Sequence, residues 1–205
     1  MLQIESVQPN TFAILKKLSA LPVLSEFQLV GGTALALQIG HRQSIDLDFF
    51  TPNIDFDENK ILRVLQNMGK TVVLSTDKNW LGINFEGVKI DILKYPYALL
   101  EEYIAEDGIR LISQADIAAM KLSAISSRGA KKDFFDLYFL LQAFTLGEML
   151  DLYSKKFGIH EHFHVIRSLT YFDDAEEEID PIMLQPISWQ SIKKRIEKVV
   201  RDFLL

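Results

Sequence analysis

Hydrophobic and polar residues along this chain recur in two periods, and the places where the period changes mark its elements. Over residues 11–21, Phe12, Ile14, Leu15, Leu18 and Leu21 recur at helical spacing with Lys16 and Lys17 opposite, predicting an amphipathic helix that covers a sheet. An apolar run at 27–30 reads as a strand, Gly31-Gly32 as a turn, and the Ala- and Leu-rich residues 33–39 as a helix. Period two over 44–50, Ser-Ile-Asp-Leu-Asp-Phe-Phe, predicts a strand with Asp46 and Asp48 on one face and Ile45, Leu47 and Phe49 on the other. Thr51-Pro52 ends it. Residues 55–59 offer helix caps, and Ile61, Leu62, Val64, Leu65 and Met68 make a helix that Gly69 stops. Short strands follow at 71–75 and 81–85, then a Glu86-Gly87 turn and a strand at 88–93. In that strand Val88, Ile90 and Ile92 share one face, and Lys89, Asp91 and Leu93 the other.

After an aromatic and acidic stretch at 95–108 and one more short strand at 109–112, the period becomes helical. Ser113 and Asp116 resemble a capping box that opens a helix over 114–127, ended by Gly129. Further helices are predicted at 131–144, 148–156, 162–168 and 189–204; the acidic tract 173–180 carries no clear period. The order predicts an α+β fold in which a small mixed-sheet lobe, residues 1–112, precedes a helical lobe, residues 113–205, the two sharing a cleft.

Composition narrows the chemistry. A chain of 205 residues with 48% hydrophobic and 24% charged residues matches soluble globular proteins, and no apolar run is long enough for a bilayer. The first ten residues lack the basic start and apolar stretch of a signal peptide, so the expected location is the cytoplasm. Without cysteine there are neither disulfides nor thiolate zinc sites, and His41, His160, His162 and His164 show no ligand spacing joined to a partner. A metal here is therefore held by oxygen, which favours magnesium or manganese. A net charge of −6 argues against nonspecific duplex binding but leaves room for a basic patch that accepts a nucleotide or one RNA end.

Residues 31–50 carry the chemical signal. Main-chain N–H groups at a helix start are unpaired and glycine lets a ligand approach them, so Gly31, Gly32 and Thr33 suit phosphate oxygens. Asp46 and Asp48 read either as a metal clamp or as the polar face of a half-exposed strand; Asp91 is wanted as a third carboxylate on a neighbouring strand. Three such carboxylates beside a glycine turn fit two-metal nucleotidyl transfer, with a nucleoside triphosphate as donor. Lys121 and Arg128 are seven apart, two helical turns on one face, and Asp133 and Asp136 are three apart on the next helix. These four are either solvated helix pairs, or phosphate and RNA ligands with an aspartate as base or support. Arg42 binds a phosphate or pairs with an aspartate, and His41 reads as a structural hydrogen-bonder.

Taken together, Gly31 to Phe50, the strand around Asp91, the Lys121 and Arg128 helix, Lys132-Asp133-Phe134-Phe135-Asp136-Leu137 and the tail Leu169 to Glu176 resemble the AbiEii/AbiGii toxin family of nucleotidyltransferases, within the DNA polymerase β-like superfamily. The resemblance implies a nucleotidyltransferase lobe followed by a helical lobe, with Asp46, Asp48 and Asp91 as metal ligands and Gly32 and Thr33 holding phosphates. It further implies that Lys121 contacts the triphosphate and that Asp133 or Asp136 serves the later motif. Magnesium or manganese, an NTP substrate, a tRNA-like acceptor and a cognate antitoxin protein follow from the same resemblance. The competing expectations are a non-catalytic nucleotide- or partner-binding module on this fold, and transfer to a protein or small molecule.

Overall fold

The computed structural model describes residues 1–52 and 54–205. Helix α1 (Pro9–Ser19) begins on a proline, whose missing N–H costs nothing at a helix start, and buries Ile14, Leu15 and Leu18. Strand β1 (Gln28–Val30) runs straight into α2 (Gly31–Ile39), which ends on Gly40 in the left-handed region. Strand β2 (Leu47–Pro52) is followed by α3 (Glu58–Met68), capped by the Asp57 carboxylate accepting from the Lys60 amide. Strands β3 (Thr71–Asp77), β4 (Trp80–Phe85), β5 (Val88–Tyr95), β6 (Ile104–Glu106) and β7 (Ile109–Leu111) complete a seven-stranded sheet of order β3-β4-β5-β2-β1-β7-β6. It is mixed: β2 runs parallel to β5 and β1 parallel to β7, while the other neighbours are antiparallel.

Helices fill the second half: α4 (Gln114–Ser127), α5 (Lys131–Ala143), α6 (Leu146–Phe157), α7 (Phe163–Ser168), α8 (Asp173–Glu176) and α9 (Trp189–Leu204). The Ser113 cap is present, its hydroxyl accepting from the Asp116 amide at 3.0 Å. Asp116 is buried beneath the sheet–helix junction, where Lys156 of α6 pairs with it at 2.6 Å and the Leu100 amide donates at 3.0 Å. The expected α+β order is therefore the observed one. One face of the sheet, carrying Leu47, Phe49, Leu81, Ile83, Ile90 and Ile92, is sealed in the core; the other carries Asp48 and Asp91, while α4 and α5 pack on each other and on α2. Among the described residues no helix is long and apolar enough to cross a membrane.

Three local expectations are corrected. Strand β2 starts at Leu47, so Asp46 lies in the loop before it and Ile45 is 57% exposed instead of joining Leu47 and Phe49 inside. The glycine pair is not a loop of its own: it opens α2, with Gly31 at φ +68 and Gly32 in the first turn. Strand β6 forms within the acidic stretch at 95–108, where three residues are too few to show a period.

Candidate active site

Strand pairing brings two of the carboxylates together. Asp48 on β2 is the direct register partner of Asp91 on β5, and side chains opposite one another on neighbouring strands share a face. On its other side Asp48 is opposite Val30, the last residue before α2. Gly31 then turns away in a left-handed conformation, and a Cβ placed on it would lie 2.9 Å from Asp48 Oδ2. Glycine is thus required twice over, for its φ and for the room it leaves the carboxylate.

Asp46 is set by Thr33. The Thr33 hydroxyl is buried beneath the turn, 2.8 Å from Ser44 Oγ and donating to the Asp46 carbonyl at 2.5 Å, so it ties the Asp46 loop to α2. Its oxygen faces into the protein, not out toward a phosphate. Gly32 serves the layer below: a side chain there would strike the Arg42 guanidinium.

That guanidinium belongs to a buried network which the aspartates of α5 organise. Asp136 is wholly buried; Arg42 reaches it through Nε at 2.6 Å and Nη2 at 2.9 Å, His41 Nε2 at 2.7 Å and Lys121 Nζ at 2.5 Å. Lys121 also reaches Asp133 Oδ1 at 2.7 Å, and Arg128 clasps the same carboxylate through Nε at 2.8 Å and Nη2 at 3.1 Å. The pairing of Lys121 and Arg128 with one aspartate follows from their two-turn spacing. The solvated alternative does not hold, because Asp133 and Asp136 are 0% exposed. Arg42 takes the aspartate-pairing option.

Electrostatics follows from these contacts. Burial opposes the Asp136 charge, but Arg42 and Lys121 outweigh it and hold that carboxyl well below its ordinary value. Burial likewise opposes the Lys121 charge, and Asp136 and Asp133 overcome it. Burial lowers the His41 pKa despite the Asp136 hydrogen bond, so the ring is neutral and donates through Nε2. Asp48 behaves in the opposite way: burial, then repulsion from Asp91 and Asp46, pushes its pKa up to about 6. A carboxylate among carboxylates, short of neutralising partners, is what a divalent cation held by oxygen would relieve. Among the described residues no three such side chains converge as a ready-made cage; the Asp48–Asp91 pair is the nucleus, with Asp46 on a loop beside it.

Cations sit instead against the two neighbouring carboxylates. Lys89 Nζ lies 3.2 Å from Asp91 Oδ2, Lys132 Nζ 3.9 Å from Asp46 Oδ2, and both lysines are about half exposed. Arg128, its far side open at 58% exposure, feels the charge of Asp48. Lys132 was not singled out in the sequence, yet its position was available there: one residue from Asp133, it points about 100° away around α5 and so toward the Asp46 loop instead of into the network. Beside it a cavity of ≈ 270 Å³ opens between Ser44, Asp46, Lys132 and residues 178–182. That last segment is strapped to the turn before β2 by the Gln43 amide donating to the Ile182 carbonyl at 2.7 Å and by the Leu184 amide donating to the His41 carbonyl at 2.9 Å. The acidic tract is largely spent internally, Glu176 on Trp189 and Lys193 and Glu178 on the Lys131 amide.

Comparison with known proteins bears on the family and the fold. The sequence model described as "Nucleotidyl transferase AbiEii toxin, Type IV TA system" matches residues 13–203. An uncharacterized protein of Aquifex aeolicus is 36% identical over 195 residues, covering 93% of this chain and 94% of its own. Among solved structures, a putative nucleotidyltransferase from Helicobacter pylori is similar in fold at a TM-score of 0.55 and 21% identity, covering 93% of this chain and 89% of that one. JHP933, also from Helicobacter pylori, is similar at a TM-score of 0.50 and 20% identity, covering 94% and 93%.

Proposed function

The chain belongs to the AbiEii nucleotidyltransferase toxin family, and from that premise we propose a divalent-metal-dependent enzyme of the cytoplasm that transfers a nucleotide from an NTP to an RNA acceptor with a tRNA-like end, releasing pyrophosphate, under the control of a cognate antitoxin. The observation that carries the reading is the Asp48–Asp91 pair, opposite one another on parallel strands and flanked by a glycine that leaves Asp48 its space.

In this reading Asp46, Asp48 and Asp91 hold magnesium or manganese, which supplies Lewis-acid activation of the attacking hydroxyl and charge neutralisation at the phosphates. The main-chain N–H groups at the start of α2, reached across Gly31 and Gly32, receive phosphate oxygens. Arg128 and Lys132, the cations with open faces beside the carboxylates, neutralise the triphosphate from the helical side. Thr33 acts on the site by fixing Asp46. Asp133 and Asp136, enclosed by their partners, are positioning residues: through Lys121 and Arg42 they lock α4, α5 and the turn before β2 around the carboxylates, and Asp133 aims Arg128.

The test is incorporation of label from each of the four NTPs into total RNA, with Asp48→Asn as control. Label that survives Asp48→Asn, or that enters no RNA from any NTP, rejects the reading; mass spectrometry of a labelled protein or small molecule would then identify the other acceptor class. Induced expression should slow growth, and unimpaired growth at high expression sinks the toxin assignment.

A further inference from the structure

An in-line displacement at the α-phosphorus places the leaving pyrophosphate and the attacking hydroxyl on opposite sides of the reacting centre. On the proposed function, on which this inference rests, the pyrophosphate lies toward α2. The strand order then fixes where the acceptor enters: from α2 the sheet runs β1, β2 with Asp48, β5 with Asp91, and β4 beyond it. What β4 presents there is Trp80, a residue 42% exposed whose indole N–H donates to Asp91 Oδ1 at 3.4 Å. Between the indole and the carboxylate stands Gly82, the register partner of Asp91, where a Cβ would lie 3.0 Å from Asp91 Oδ1. The room left by Gly82 is taken by Ser75 Oγ and Asp91 Oδ1, and the strand face rises from there to an aromatic ring.

The turn that carries the ring is also fixed in place. Asn79, at positive φ in the hairpin turn before it, donates to Asp55 Oδ1 at 3.0 Å and accepts from the Phe56 amide at 3.1 Å, while Lys94 pairs with the same Asp55 at 2.7 Å. Next to Trp80 a shallow recess of ≈ 450 Å³ runs past Leu93 and Pro96, with Asp77, Lys78 and the Asp55-paired Lys94 at its edge. An exposed aromatic face on an anchored turn, with a polar border that includes Lys78, is the form of surface on which an unpaired nucleobase stacks.

We propose that Trp80 is the stacking platform for the terminal unpaired nucleobase of the RNA acceptor, and that the recess past Leu93 and Pro96 carries the strand leading to it. Stacking tolerates every base, so the platform sets the requirement for an unpaired end, leaving sequence choice to other contacts.

The test uses the full-length protein, Trp80→Leu and Trp80→Phe, and a short fluorescent single-stranded oligoribonucleotide of mixed sequence, with binding followed by anisotropy in magnesium without NTP. Trp80→Leu should weaken oligonucleotide binding by about tenfold or more and raise the acceptor KM in parallel. Trp80→Phe, which keeps a ring but loses the N–H, should stay within about threefold of wild type. NTP binding, measured separately, should be unchanged in both. Wild-type-like binding by Trp80→Leu overturns the proposal. So does a Trp80→Phe protein as impaired as Trp80→Leu, since the indole would then act only by orienting Asp91. These failures can occur in an enzyme that still labels RNA, which separates them from failure of the nucleotidyltransferase reading, where wild type itself labels none.

Discussion

At the scale of single residues, Asp48 is the group whose state reports on the site. Its pKa of about 6 lies above the 3.8 of an unperturbed aspartate, so the native state binds its proton more tightly than the unfolded chain does. The sign follows: the metal-free protein loses stability as pH rises from about 4 through 6, and carries the full cost above that. The shift corresponds to about 3 kcal/mol, reduced to roughly 2 by the partial exposure of the side chain. Asp48→Asn should therefore abolish transfer and yet raise the melting temperature of the metal-free protein at pH 8 by roughly 4–8 °C, a gain that disappears below about pH 4. Differential scanning fluorimetry across pH measures it; an Asp48→Asn protein that melts lower than wild type at pH 8 refutes the electrostatic account. Bound magnesium or manganese should close the gap by raising wild type alone. Its affinity should fall as pH drops through about 6, because the ion must displace the Asp48 proton, and calorimetric titration at pH 5.5 and 7.5 checks this.

At the scale of elements, the junction of β1 with α2 and the α4–α5 pair do the positioning. Gly31→Ala would place a Cβ against Asp48 Oδ2 on a backbone at φ +68, a conformation that costs an L-residue roughly 1–2 kcal/mol before the contact is counted. It should lower activity more than stability, because the carboxylate is the atom group that must move; kcat and melting temperature measured on one preparation separate the two. Asp136→Ala leaves Arg42 and Lys121 buried without their shared partner, and removing one member of a buried ion pair typically costs about 3–5 kcal/mol. Chemical denaturation should show a loss of that order, against a small loss for Lys132→Ala at the exposed edge. These elements also show what sequence alone can reveal. The Ser113 cap, the Lys121 and Arg128 spacing and the alternation around Asp91 were legible because each depends on a local period. The Asp48–Asp91 register was not, since it needs β2 to lie beside β5, with partners 43 residues apart that no local pattern specifies. Thr33 was misread for a related reason: a hydroxyl after a glycine pair looks available to a phosphate until the Asp46 loop is known to fold beneath it.

At the scale of the whole molecule, the division at residues 112 and 113 describes chain order better than energetics. One hydrophobic cluster extends from Leu2 and Leu15 through the sheet to Met149, Ile192 and Val200. The Asp136 network crosses the same division, joining α5 and α4 to His41 and Arg42 in the turn before β2, and Lys156 of α6 reaches back to the Ala98 carbonyl at 3.0 Å. Separation would expose apolar surface on both halves and would part the buried Asp136 from His41 and Arg42, leaving it Lys121 alone and leaving the Arg42 guanidinium without its carboxylate. We therefore expect the protein to unfold as one cooperative unit, with calorimetric and van't Hoff enthalpies in agreement. Acid should act through the network: Asp133 and Asp136 have pKa values below the unfolded value, so their contribution is present above about pH 4 and is lost as pH falls toward and through those lowered values. Cooperative acid unfolding below about pH 4, shifted upward in pH by Asp136→Asn, is the expected result. Two resolved thermal transitions would show instead that the halves unfold separately, and an acid midpoint indifferent to Asp136→Asn that the apolar contacts alone hold them together.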